Sequence, residues 1–346
     1  MSYKIMGITA GRKNSNSEIL LKAALMACEE QGADVTMINL RDFNILDCSG
    51  CTACTGAMAQ GKYVGCALEK KDDKKRIMDV MLAQDAIIVS VPTYDLMPAS
   101  PYITFAQRSL SYETSFLEKI NVIDHKDRVA GLISVGGSTR SWQAMALEGL
   151  QATMFTTDFK VVDMMMATRV PAPMQCLADD ELLARARKLG QNIMKSVATP
   201  PAERGWLGEP DMGWCPNCHS NLLALGEPQW DGTFYPIECA VCGAGGTLEK
   251  TEDGKWKFVI QEDGLLKDRT TVAGRGLHLD EIGETQISLF RSPEKQAKIA
   301  ERKGMTIKAL NELFAVNGQV GFLVTERVDG KLILPEAVRK LSTTIS

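Results

Sequence analysis

The feature that most limits what this chain can become is the alternation in its first two hundred residues. Apolar runs of strand length recur at Lys4–Thr9, Asp34–Leu40, Asp85–Val91, Arg128–Val135 and Phe159–Met166. Between them lie stretches with helical spacing: Glu18–Gln31, Asp72–Leu82, Ser100–Leu117 in part, Trp142–Phe155 and Asp179–Val197. Strands that read as continuous apolar runs, each followed by a helix, imply βαβ units around a parallel sheet buried on both faces. Five such units fit a doubly wound, flavodoxin-like domain, in which ligands bind beyond the carboxyl ends of the strands at the switch point.

That rule selects three loops. In the first, Thr9, Gly11, Arg12, Asn14, Ser15, Asn16 and Ser17 lie between a strand and a helix, and Ser15 with Glu18 reads as a capping box. Free N–H groups at a helix start, backed by the helix dipole, suit a phosphate; an ordinary βα turn is the plain alternative. The second loop, Pro92-Thr93-Tyr94-Asp95-Leu96-Met97, offers an aromatic ring and a thioether on which a flat ring could stack. In the third, Gly136-Gly137-Ser138, the glycines allow backbone to come close to a ligand. A phosphate loop and two ring loops, in this order at strand ends, describe an FMN site.

The chain holds ten cysteines, and eight fall into two tetrads. Cys48, Cys51 and Cys54 are separated by two residues each, and Cys66 follows after eleven intervening residues. Three thiols packed into seven residues suit an iron–sulfur cluster better than zinc, whose ligands generally come as separated pairs, although a zinc knot or free thiols are the rivals. Cys215-x2-Cys218 and Cys239-x2-Cys242 are such separated pairs and read as a zinc ribbon, with a rubredoxin-like iron site as competitor. His219, beside Cys218, is expected at the surface. Cys28 lies in an apolar helical pattern and reads as a small buried hydrophobe. Cys176 carries no role.

In these motifs the chain resembles the iron–sulfur flavoproteins of the NADPH-dependent FMN reductase group, found mostly in anaerobic bacteria and archaea. The resemblance spans about residues 1–195. It rests on Cys48-x2-Cys51-x2-Cys54…Cys66 followed by Asp72-Asp73, on Val91-Pro92-Thr93-Tyr94 and on Val135-Gly136-Gly137-Ser138. It implies one FMN and one [4Fe-4S] cluster per subunit, and a homo-oligomer, dimer or tetramer, in which a cluster lies near flavin. The gap between Cys54 and Cys66 is longer than the family's usual last spacing. The first loop lacks the family's frequent Ser-Pro-Arg, but keeps Arg12, Asn14, Asn16 and Ser17.

These features predict three parts: a flavin and iron–sulfur domain over 1–198, a zinc-ribbon β domain over 205–262, and an α+β tail over 263–346. In the tail, Pro293–Val316 reads as a helix, and Gln319–Arg327 with Lys331–Leu334 as a hairpin. His278 reads as a surface histidine. The tail is expected to pack on the ribbon, the flavin domain or a second subunit.

A net charge of −4 argues against nucleic acid as a partner. No apolar run reaches membrane-spanning length and the N-terminus has no signal pattern, so a cytoplasmic location is expected. The expected function is an oxidoreductase passing electrons between NAD(P)H, FMN and a [4Fe-4S] cluster. The alternatives are a dedicated electron-transfer subunit for a partner reductase and a redox-sensing, nucleic-acid-binding protein. No side chain is expected to act as catalytic acid or base, because hydride transfer to flavin needs none.

Overall fold

In the computed structural model, residues 2–210, 212–229, 232–278, 280, 306–310 and 321–325 are described. Residues Met1–Leu279 form one compact unit and Asp280–Ser346 another.

The first unit begins with β1 (Lys4–Thr9), α1 (Asn16–Glu29), β2 (Asp34–Asn39), α2 (Ala53–Met58) and α3 (Lys74–Leu82). β3 (Ala86–Tyr94), β4 (Met97–Pro98), α4 (Ser100–Gln107), α5 (Thr114–Lys119) and β5 (Arg128–Val135) follow. α6 (Ala146–Ala152), β6 (Phe159–Ala167) and α7 (Asp180–Ala198) complete the α/β layer. The long strands run parallel in the order β2-β1-β3-β5-β6, which is the flavodoxin-like order with its switch point between β1 and β3. Two apolar layers account for the continuous strand runs. α1 and α7 cover one face through Leu20, Leu21, Leu189 and Ile193 against Ile5, Ile88 and Ile133. α3, α4 and α6 cover the other through Ile77, Met78, Phe105 and Leu150 against Met6, Ile87 and Leu132. Cys28 sits in the first layer, fully buried, and burial pushes its thiol up to about 12, so it is packing rather than chemistry.

β3 runs past Pro92 and folds back on itself, pairing Thr93 with Pro98 and Tyr94 with Met97 of β4. The two residues between them, Asp95 and Leu96, both have positive φ (48° and 70°), the backbone of a two-residue hairpin turn that normally selects Asn-Gly. Leucine there is strained by about 1–2 kcal/mol. Leu96→Gly is therefore expected to raise unfolding stability by about 1 kcal/mol. A urea midpoint that falls would show that the Leu96 side chain contributes more packing than its backbone costs.

After α7, a four-stranded antiparallel sheet is built from β7 (Leu223–Leu225), β8 (Ile237–Cys239), β9 (Gly245–Lys250) and β10 (Trp256–Ile260), in the order β10-β9-β8-β7. Its core is small: the four cysteines of the second tetrad with Val241, Ala244 and Phe258. Residues 272–278 are helical and return to the α/β layer. There Arg275 donates to Glu113 (3.2 Å) and Asp158 (2.8 Å).

In the second unit, β11 (Thr306–Leu310) pairs antiparallel with β12 (Gly321–Thr325). This corrects the expectation of a helix over 293–316, since 306–310 is a strand. It also gives the 319–327 strand a different partner. The expected partner, Lys331–Leu334, lies outside the described residues. Among the described residues no helix is long and apolar enough to cross a membrane.

Candidate functional site

The three loops chosen from the sequence lie at the carboxyl edge of the parallel sheet and are tied to one another. In the first, Ser15 caps α1 by accepting from Glu18 N at 3.3 Å. The Glu18 carboxylate reaches back to Asn14 N at 2.7 Å rather than to the cap residue itself. Burial opposes its charge, but Lys22 and the Asn14 N–H outweigh this and hold its pKa below the usual carboxylate value. The hydroxyls of Thr9, Ser15 and Ser17 are buried together, with Ser15 Oγ 3.0 Å and Thr9 Oγ1 3.5 Å from Ser17 Oγ. A Cβ on Gly11 would meet both serine hydroxyls at 2.5 Å, so only glycine leaves this cradle open. Arg12 and Asn14 are exposed at its rim, Asn14 with φ 58°.

Asn16 is committed elsewhere. Its Nδ2 donates to Val170 O and Ala172 O, and its Oδ1 accepts from Cys176 N, so only its backbone faces the loop. Cys176 is buried in this staple.

The second and third loops meet through Gln143, which sequence reasoning passed over. Its Oε1 accepts from Thr93 Oγ1 (3.1 Å) and Ser134 Oγ (3.4 Å), and its Nε2 donates to Ala167 O (3.1 Å). Met145 N donates to Leu96 O at 3.1 Å. The glycines of the third loop answer to packing as well: a Cβ on Gly136 would overlap Gln143, and one on Gly137 would come 3.1 Å from Pro171. Ser138 is exposed and its carbonyl accepts from Arg169 N, so a fourth loop, after β6, joins the site. Pro92 and Thr93 are half-buried and Asp95 is exposed. Tyr94 (51%), Met97 (41%), Trp142 (65%) and Met145 (37%) stand exposed along the joined loops, an apolar rim without a protein core to explain it.

These residues fit FMN. Small hydroxyl-bearing residues and a helix start offer donors for its phosphate, and the apolar rim offers a surface for its ring.

The cysteine loop leaves the same edge after β2. Cys48 and Cys51 are exposed, Cys54 and Cys66 half-buried. Cys54 lies in the first turn of α2 and packs beside the Met58–Phe116–Leu117 cluster. Burial pushes its thiol up, and Cys66 and Cys51 are near enough to add to that. The Ala53 N–H and Ser49 lower Cys51. The neck of the loop is closed by Asp73, paired with Asn44 through backbone and side chain at 2.9 Å, and by Asp72, which accepts from Leu46 N at 2.9 Å. Arg108 enters this neck, pairs with Asp72 and reaches Cys66 Sγ at 3.4 Å.

Among the described residues, one group of metal-ligating side chains converges: Cys215, Cys218, Cys239 and Cys242, all buried, with sulfurs within 4.8 Å of one another. Cys215 and Cys242 lie 3.7 Å apart and Cys218 and Cys239 3.6 Å. Metal–sulfur bonds of about 2.3 Å in a tetrahedron place sulfurs about 3.8 Å apart, so the cage already has the size of a tetrahedral metal site. Thiols this close cannot all ionise without a cation; the other three cysteines push Cys218 up and pull Cys239 down. His219 is not at the open surface: its ring stacks on Trp206 with centroids 4.0 Å apart, and burial lowers its pKa.

The cage is linked to the joined loops by α6. Gln151 Nε2 donates to Cys218 O and Glu148 Oε1 accepts from Asn221 N, while the residue before α6 bonds Leu96 O.

Residues 3–166 match the family described as NADPH-dependent FMN reductase. Residues 246–343 match the phage capsid family, over a stretch largely outside the described residues. A flavone synthase of Aspergillus candidus is 26% identical over 301 residues, covering 81% of this chain and 88% of its own length. An iron–sulfur flavoprotein of Methanocaldococcus jannaschii is 26% identical over 202 residues, 56% of this chain and 97% of its own. A solved flavone reductase superposes with a TM-score of 0.65 at 25% identity, covering 86% of this chain and 96% of that one. The NADPH-dependent FMN reductase match thus takes in residues 3–166, just under half of the chain, and the chain is a flavin-dependent oxidoreductase with iron–sulfur flavoproteins among its relatives.

Proposed function

We propose that the chain binds FMN on the joined loops of residues 9–17, 92–97 and 136–145, accepts hydride from NAD(P)H there, and passes electrons to a [4Fe-4S] cluster on Cys48, Cys51, Cys54 and Cys66. The observation that carries this reading is the common edge: the cradle at Gly11, the Gln143-linked loops and the cysteine loop all open beyond the carboxyl ends of the strands. FMN would supply the conversion between a two-electron donor and one-electron acceptors, and the cluster would carry single electrons outward. The chain's own residues bind and orient. Thr9, Ser15, Ser17 and Arg12 would hold the phosphate, and Thr93, Tyr94, Met97 and Ser138 would frame the ring. The second tetrad would hold a structural zinc. In keeping with the resemblance, the working form would be a homo-oligomer.

A second reading concerns the acceptor. The flavone synthase and flavone reductase likenesses run through the Cys215–Cys242 region, and the exposed Tyr94, Met97, Trp142 and Met145 would receive a flat, apolar, conjugated ketone. In that case electrons pass as a pair at the flavin and the cluster is not on the path. Anaerobic steady-state oxidation of NADH and NADPH separates the two. Turnover with ferricyanide that Cys54→Ala abolishes supports the cluster route. Turnover with a flavone that survives Cys54→Ala and falls at least tenfold in Trp142→Ala supports the direct route. No oxidation of either nucleotide with any acceptor would overturn the autonomous reductase and leave a carrier reduced by a partner protein.

A further inference from the structure

Arg108 is a deeply buried charge near the cysteine loop, and its contacts are oddly distributed. Its side chain is 1% exposed and that of Asp72, its partner, is 0% exposed. A guanidinium has five N–H donors in a fixed plane, and burial without partners is costly. Nη1 donates to Leu46 O (3.0 Å) and Asp72 Oδ2, while Nη2 donates to Asp72 Oδ1 (3.3 Å) and Cys66 Sγ (3.4 Å). Nε is buried and has no partner. The pair with Asp72 alone would not require a third edge beside a cysteine.

We propose that Arg108 is a positioning and potential-setting residue for the iron–sulfur cluster, donating Nη2–H to the Cys66 thiolate and Nε–H to a sulfur of the cluster itself. The proposal rests on the cluster reading of the first tetrad. It also supplies what the sequence lacked for Cys66, whose long spacing from Cys54 left it apart from the other three. The neck formed by Leu46, Asp72 and Arg108 brings Cys66 back to the loop's entry, a few residues from Cys48. Asp72 neutralises the guanidinium overall, yet the N–H bonds to sulfur remain. Such bonds stabilise the more negative, reduced cluster more than the oxidised one, so they raise its potential. Arginine suits the task because its plane can serve Asp72 and sulfur together, which a lysine ammonium cannot reproduce.

The test uses the full-length chain purified anaerobically, with potentials read by EPR-monitored titration. The double variant Arg108→Gln/Asp72→Asn keeps the neck neutral. Its cluster potential should move negative while the FMN potential of the same sample stays put. Each tenfold loss in relative stabilisation of the reduced form reads as about 59 mV for one electron. An unchanged cluster potential with full iron content overturns the proposal. If the variant binds no iron, the wild-type chain decides: reduced protein labelled with 15N-arginine should show nitrogen hyperfine coupling to the cluster, and absence of coupling overturns the proposal. A wild-type chain without iron would instead sink the cluster reading itself, a separate outcome.

Discussion

Arg275→Ala is expected to destabilise the first unit by about 3–5 kcal/mol, the cost of removing one partner from a buried ion cluster. Arg275 is the point at which the helical segment after the small sheet enters the α/β layer. Its Nε donates to Glu113, its Nη2 to Asp158 and its Nη1 to Arg269 O at 3.1 Å. Glu113 is buried beneath it, and burial already pushes this carboxyl above the usual range against the pull of Ser115 and Arg275. Without the guanidinium, Glu113 must protonate or stay charged in an apolar setting. The loss should appear as a fall in melting temperature of roughly 10 °C. Arg275→Met combined with Glu113→Gln and Asp158→Asn should recover most of it, because no buried charge is then left alone. A single-variant loss below about 1 kcal/mol would show that water reaches these carboxylates and that the contact is a surface pair.

The second large effect concerns the cysteine cage. Cys239→Ser should remove the metal and unravel the sheet of β7 to β10, since the fully buried core beyond the cysteines is Val241, Ala244 and Phe258, with Phe155, Leu222, Leu223, Ile237 and Ile260 only partly buried against it. Structural zinc contributes apparent folding free energies of about 10–16 kcal/mol in isolated fingers, more than so small an apolar core provides. The damage should travel. α6 is held on the cage side by Gln151 and Glu148 and on the flavin side by the bond from Met145 N to Leu96 O. Loss of that brace is expected to weaken FMN binding about tenfold, the order of one hydrogen bond. Metal analysis, amide exchange over residues 215–260 and a flavin titration check the three parts. Exchange protection and flavin affinity unchanged in a metal-free variant would show that the cage does not hold the fold.

The parts of the molecule legible in the sequence are those decided by local apolar pattern. Lys4–Thr9 and Arg128–Val135 are strands with the expected bounds, because their runs have no competing period and both ends carry turn residues. The paired knuckles around Cys215 and Cys239 converge because short spacing and a hairpin leave the thiols few other places to go. What could not be read depends on tertiary hydrogen bonds. Trp142–Phe155 looks like one helix, yet Gln143 turns inward to Thr93, Ser134 and Ala167, and the helix proper is only α6. His219 lies on Trp206, thirteen positions away, and no periodicity announces that contact. Arg108 and Asp72 meet across 36 residues, so the closure of the cysteine loop is invisible in the chain. The helix expected over 293–316 yields to a strand at Thr306–Leu310, a segment whose alternation Thr-Ile-Lys-Ala-Leu suits both periods.

The central claim is that one chain unites a flavin site, an iron–sulfur loop and a zinc cage. Its most direct test is anaerobic purification followed by an optical spectrum and a metal count. The account predicts FMN absorption with about four irons and one zinc per chain. Flavin with zinc but no iron would contradict the role given to Cys48, Cys51, Cys54 and Cys66.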